Sequence, residues 1–233
     1  VVETTRMARE RGACTVAIVN EPQSPLAAVA EHVLPCRAGG ESGIAATKTM
    51  LATLLVVARL VAHWAGDAAL ESALRRLPDA VRHAQSLAWG PALVAHLGHA
   101  PACFVISRGP GLAIAQEIAL KLQELAGLPA LAFSSAEFQH GPKALLARQH
   151  PVLLLPAAGW LGPEADRLWQ EARPARVACI GVTPGLAAPP PVHPDLDPIL
   201  ALAAFHPALD ALSRARGQDP DRPPNLAKVT KTL

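Results

Sequence analysis

The sequence predicts an α/β fold with a parallel, doubly wound sheet in each of two successive units. Three observations carry that expectation. Short apolar runs alternate with longer stretches of helical periodicity along the chain. A turn that only Gly and Pro allow, Ser107-Arg108-Gly109-Pro110-Gly111, divides a strand at residues 102–106 from a helix at residues 112–126. The alternation then repeats on both sides of a helical stretch at residues 70–97, which reads as a connector between two units.

In chain order, residues 1–11 read as a helix without a capping Ser, Thr, Asp or Asn before it, so the chain is expected to begin inside an element of a longer protein. Residues 14–19 form a buried strand, a turn and short helix run to Ala30, and residues 32–36 form a second strand. A small-residue loop, Gly39 to Lys48, feeds a long apolar helix from about Thr47 to Ala65; small residues there let a backbone approach a ligand closely. The connector is expected to break near Pro78 and Pro91. Beyond the helix at 112–126 come a strand, a polar loop with one buried-looking histidine, a strand at 152–156, a helix at 164–171 and a strand at 176–182. A Pro-rich turn at 188–194 and a last helix at 198–216 follow. Residues 217–233 are polar and Pro-rich and by composition form a frayed terminus.

With 51% hydrophobic and 17% charged residues, a chain of 233 residues has material for substantial cores. A net charge of +2 with both signs interspersed argues against a nucleic-acid surface. The apolar helix ending at Ala65 is interrupted by Arg59, His63 and Trp64, which makes a membrane span unexpected, and no signal peptide precedes it. Cys14, Cys36, Cys103 and Cys179 show no C-x-x-C spacing. Buried free thiols in a cytoplasmic protein are expected, not a zinc site or disulfides. The histidines other than His140, His32 among them, show no ligand spacing and carry no assigned role.

On the helix at 112–126, Glu117, Lys121 and Glu124 stand at i, i+4 and i+7 and share one stripe. Taken alone, Glu117–Lys121 is a solvated ion pair worth about 0.3–0.5 kcal/mol. Likewise, a histidine before Gly-Pro is an ordinary loop residue and Lys228 a solvated lysine. The turn at Ser107–Gly111 opens a helix and is a weak candidate anion site.

Four motifs in order change that weighting. TKTMLATLLVVARL after a Gly-Glu-Ser-Gly loop, QEIALKLQEL, AEFQHGP and NLAKVTKTL together resemble the sugar isomerase (SIS) domain family. The likeness is to the isomerase half of glucosamine-6-phosphate synthases and to SIS-type glucosamine-6-phosphate deaminases. The resemblance implies two flavodoxin-like SIS domains, each a three-layer α/β/α sandwich. Residues 1–66 would be the C-terminal part of the first domain, 67–99 a helical connector, 100–216 the second domain and 217–233 a tail closing the active site. It also implies a Ser-rich phosphate loop upstream of Val1, with the second-domain Gly-rich turn holding no phosphate.

By the same resemblance Glu124 is the proton shuttle between C1 and C2, His140 the ring-opening group, and Lys228 the contact to the open-chain carbonyl. Ile44, Ala45, Ala46, Glu117, Lys121 and Ala227 are implied substrate contacts. A carboxylate suits the shuttle and a histidine suits ring opening near neutral pH; a lysine can form an imine with a carbonyl. The implied partner is a small sugar phosphate, with a homodimer donating His140 across its interface and no nucleic acid or membrane. Proton transfer and imine formation require no metal or organic cofactor. Isomerisation with deamination of an amino-sugar 6-phosphate leads; a glutamine-fed synthase and a non-catalytic sugar-phosphate-binding module stay open.

Overall fold

Two parallel sheets organise the chain, each inside its own compact unit, Val1–Leu74 and Arg75–Leu233. The computed structural model describes residues 1–155, 167–168, 170–171, 177–179 and 186–228.

In the first unit, α1 (Val2–Glu10) precedes β1 (Val16–Val19), α2 (Pro25–Val29) and β2 (His32–Pro35). The strands pair in parallel with Val16 opposite His32 and Val19 opposite Pro35. Ser24 caps α2 by accepting the Ala27 amide, and Pro25 sits at the first helical position, where its missing N–H costs nothing. Helix α3 (Lys48–Ala65) ends on Gly66, whose φ of 65° is the left-handed conformation that closes a helix. By length and composition α3 is apolar enough to cross a membrane. Of its residues only Ala62 is buried, while Val57, Leu60, Val61 and Trp64 are exposed.

Helix α4 (Ala68–Gln85) runs through Pro78 without a break. Leu70, Ala73, Leu77, Ala80 and Ala84 are buried at helical spacing along it, and burial of that stripe outweighs the one backbone bond a proline removes. The break comes instead at residues 86–88, after which α5 (Trp89–Leu97) holds Pro91 within its first turn.

The second unit is built on a four-stranded parallel sheet in the order β4-β3-β5-β6. The strands are β3 (Cys103–Ser107), β4 (Ala130–Ser134), β5 (Val152–Leu154) and β6 (Val177–Cys179). Every residue of β3 is buried, as expected of a central strand covered on both faces. Helix α6 (Pro110–Ala126) connects β3 to β4, and α7 (Ser135–Gln139) follows β4 directly. Helix α8 (Asp197–Ala215) packs against both α5 and α6. The expected helix at 164–171 is described at 167–168 and 170–171, and the expected strand at 176–182 at Val177–Cys179; their other residues, with 156 and 229–233, lie outside the described residues.

One side chain ties these helices together. Just past α8, Arg216 donates from Nε to the Ala126 carbonyl (2.8 Å) and from one terminal nitrogen to the carbonyls of Leu97 (2.9 Å), Gly98 (3.2 Å) and Ala100 (3.0 Å). The orphan carbonyls at the ends of α5 and α6 are thus met by one cation, where a helix dipole favours positive charge.

The thiols correct the expectation of burial: Cys103 is buried, Cys36 is partly buried and Cys14 is exposed. Cys14 lies ahead of β1 instead of within it, so the sheet does not cover it. Burial pushes the Cys103 thiol up to about 12, against a smaller opposing pull from Arg216.

Replacing Arg216 with Ala leaves helix-end carbonyls of α5 and α6 without their cation. The expected loss is about 2–3 kcal/mol of stability of the second unit, read from urea unfolding of the variant beside the parent.

Candidate active site

Helix α6 carries its charged stripe on a face that the protein covers. Lys121 is 3% exposed, and its ammonium stands 2.6 Å from Glu124 Oε2 and 3.3 Å from Glu117 Oε1. A buried ammonium needs such partners. The solvated surface pair that the spacing alone suggests is therefore replaced by a desolvated one. Two carboxylates face one ammonium, and Glu124, with a quarter of its side chain accessible against a tenth for Glu117, also borders free space.

That space is a cavity of about 330 Å³. Leu120, Gln123, Glu124 and Gly127 line it from the α6 side, and Gln218, Pro224 and Leu226 from the C-terminal tail. Gly127 closes α6 with φ 57°, and Gln218 packs 3.6 Å from where a Cβ would stand. Arg216 brings the chain back to this point by its bond to Ala126. The tail is thus not a frayed terminus throughout: Pro223 is buried, and Leu226 meets the cavity. Ala227 and Lys228 follow it, both exposed, and neither lines the cavity.

His140 is exposed, against the expectation of a buried ring. It is the C-cap of α7, and the buried position is taken by Phe138, which packs with Phe104 and Phe133 at ring distances of 5.7 and 5.9 Å. At the other end of α7, Ser134 and Glu137 form a capping box. Both flanks of His140 are clamped to Glu171. Lys143 Nζ lies 2.7 Å and Gln139 Nε2 3.3 Å from Glu171 Oε2, and Arg167 Nε lies 3.0 Å from Oε1. Lys143 foremost holds the Glu171 carboxyl at about 2, so it stays ionised. Sequence spacing could not find this clamp, because its partners lie on separate segments.

Ile44, Ala45 and Ala46 belong to the first unit and are half-buried beside a loop organised by Glu41. Glu41 Oε1 accepts the amides of Thr47 (2.9 Å), Lys48 (2.7 Å) and Thr49 (3.3 Å), and Oε2 accepts the Thr49 hydroxyl. Burial raises this carboxyl, but the bonds from Thr49, Thr47 and Lys48 outweigh it and bring it to about 2. Glu41 therefore stands where an anion would sit at the start of α3. In the second unit, the amides of Gly111 and Leu112 at the start of α6 are bonded to the carbonyls of Arg108 and Gly109. That engagement fits a turn not held open for an anion.

The SIS domain profile matches residues 1–62 and 96–184. The chain belongs to the SIS domain family. It is 34% identical to the glutamine--fructose-6-phosphate aminotransferase (isomerizing) of Aeropyrum pernix and 35% to that of Thermus thermophilus, over 98% and 97% of its length. It spans about two fifths of those relatives, 40% and 41%. Among solved structures, a Silicibacter pomeroyi protein assigned as a phosphosugar isomerase is similar with a TM-score of 0.86 and 33% identity, covering 94% of this chain and 69% of that one. The glucosamine-6-phosphate deaminase of Thermotoga maritima shares the fold, with a TM-score of 0.75 at 22% identity over 94% of this chain and 67% of that one.

Two outcomes follow from the local geometry. Because the Glu41 carboxyl lies below its ordinary 4.5 in the folded chain, its contribution is present above that value and is lost as pH falls from about 4.5 toward about 2. Acid unfolding of Glu41→Gln should show a shallower loss over that window than the parent. Phe138→Ala should cost about 3–5 kcal/mol by emptying a fully buried site, measured by chemical denaturation.

Proposed function

We propose that this chain is the sugar-phosphate isomerase part of an enzyme of amino-sugar phosphate metabolism, working in the cytoplasm on an open-chain hexose 6-phosphate. The observation that carries this is the Glu124 carboxylate, held by buried Lys121 and presented to the cavity that the tail helps to line.

In the deaminating direction the ring of glucosamine 6-phosphate opens, a proton-transfer task given to His140. Glu124 removes the proton at C2 of the aldehyde form and leaves an enolamine across C1 and C2. The same carboxylate returns the proton to C1, which generates an imine at C2. Water then adds to the imine and ammonia leaves, giving fructose 6-phosphate. One carboxylate can serve both carbons because they are adjacent. Lys121 holds that carboxylate in place, while Lys228 engages the open-chain carbonyl, directly or as an imine. Ile44–Ala46 and Ala227 contact the sugar backbone, and Glu117 shares the Lys121 charge. A homodimer that delivers His140 from the neighbouring copy fits the exposure of that histidine.

Run in reverse with ammonia supplied from glutamine, the same steps make glucosamine 6-phosphate. Identity of 34–35% over nearly the whole chain with glutamine--fructose-6-phosphate aminotransferases favours this second direction.

The test is ammonia release from glucosamine 6-phosphate by the full polypeptide, with Glu124→Gln and Lys228→Ala beside it. Release that falls by about a hundredfold or more in Glu124→Gln is the expected result. Synthesis from fructose 6-phosphate only when glutamine is present would establish the aminotransferase direction. Tight binding of the sugar phosphate with no turnover in either direction, or turnover unchanged by Glu124→Gln, would overturn the catalytic assignment.

A further inference from the structure

We propose that Cys14, Glu31 and His32 form a binding site for zinc or a zinc-like divalent transition metal. No local motif groups them, since seventeen positions separate Cys14 from Glu31. Strand pairing brings them together. Val16 stands opposite His32, the Thr15 carbonyl accepts the His32 amide (3.0 Å) and the Thr15 hydroxyl accepts the Glu31 amide (2.9 Å). The lead into β1 is therefore pinned to the start of β2. A thiol, a carboxylate oxygen and an imidazole nitrogen lie within 4.8 Å of one another, and His32 Nε2 stands 3.8 Å from Glu31 Oε1.

Donor chemistry selects the ion. Sulfur, nitrogen and one carboxylate form a borderline-soft set that suits zinc, whereas magnesium and calcium take oxygen donors. Bonds of about 2.0–2.3 Å to a tetrahedral ion put neighbouring donor atoms roughly 3.3–3.8 Å apart. All three side chains are exposed, so small rotations close the remaining gap without disturbing a core. Water completes the fourth position, and the Cys14 thiol gives up its proton as the metal–sulfur bond forms.

The site belongs to the first unit. It lies at the amino ends of β1 and β2, whereas ligand crevices of open parallel sheets lie beyond the carboxyl ends. A metal here would clip two strands at the end where their pairing begins, adding stability to the folded chain by mass action.

The full polypeptide, stripped of metal, is titrated with zinc against a chromophoric chelator and with cobalt(II) under visible and near-ultraviolet absorbance. The expected result is one zinc per chain at micromolar affinity or tighter, a thiolate–cobalt charge-transfer band, and an upward shift of the unfolding midpoint. Iodoacetamide labelling of Cys14, read by peptide mass, should slow at least tenfold with zinc. Cys14→Ser and His32→Ala, both exposed substitutions that leave the core intact, should each weaken zinc at least tenfold and abolish the cobalt band. Uptake that survives unchanged in both variants, cobalt spectra without a thiolate band, or equal labelling of Cys14 with and without zinc would each overturn the site.

Discussion

A protonated lysine side chain inside a protein must be matched by opposite charge, and in α6 that requirement fixes the candidate site. Lys121 is sealed against solvent with Glu117 on one side and Glu124 on the other. Removal of the partners would leave a charge that the interior cannot support. Glu124 consequently cannot wander as a solvated glutamate would. Its carboxylate is held at one place on the helix, with an accessible edge toward the cavity. This is the preorganisation that a proton shuttle needs, since misplacement by about an ångström can cost two orders of magnitude in rate.

The rest of the second unit can be understood as the frame for that helix. Strand β3, buried along its whole length, and the adjoining β4 position α6 along the sheet. Arg216 then joins the far ends of α5 and α6 to the end of α8, and the tail leaves from that junction to line the cavity that Glu124 borders. On the neighbouring loop, Phe138 anchors α7 from below, while the Glu171 clamp holds both flanks of His140. His140 is left exposed between those clamped flanks. The first unit follows a parallel logic: Glu41 spends its carboxylate on the amides that open α3 and so shapes the loop carrying Ile44, Ala45 and Ala46.

Much of this was legible in the sequence because it depends on local periodicity. The α6 stripe, the Gly-rich turn before it and the alternation of strands with helices all show in the spacing of residue types. Burial was not legible, because it is decided by partners distant in the chain. An i, i+4 Glu–Lys pair has the same sequence whether it faces water or a core, and only packing shows that Lys121 is enclosed. Phe138 lies on a five-residue helix and His140 caps it two residues on, and the sequence does not say which takes the pocket beside Phe104. Pro78 misleads for a related reason, since the buried stripe along α4 overrides a local preference. The Cys14–Glu31–His32 cluster is the extreme case, brought together only through the β1–β2 register.

The role proposed for Glu124 is to move a proton between adjacent carbons of the sugar. The most direct measurement is exchange of the C1 hydrogen of fructose 6-phosphate with solvent, followed by proton NMR in heavy water with an ammonia source present. Steady loss of one C1 proton signal is expected with the parent protein, and none above background with Glu124→Gln. Exchange at equal rates in both would contradict it and place the base elsewhere.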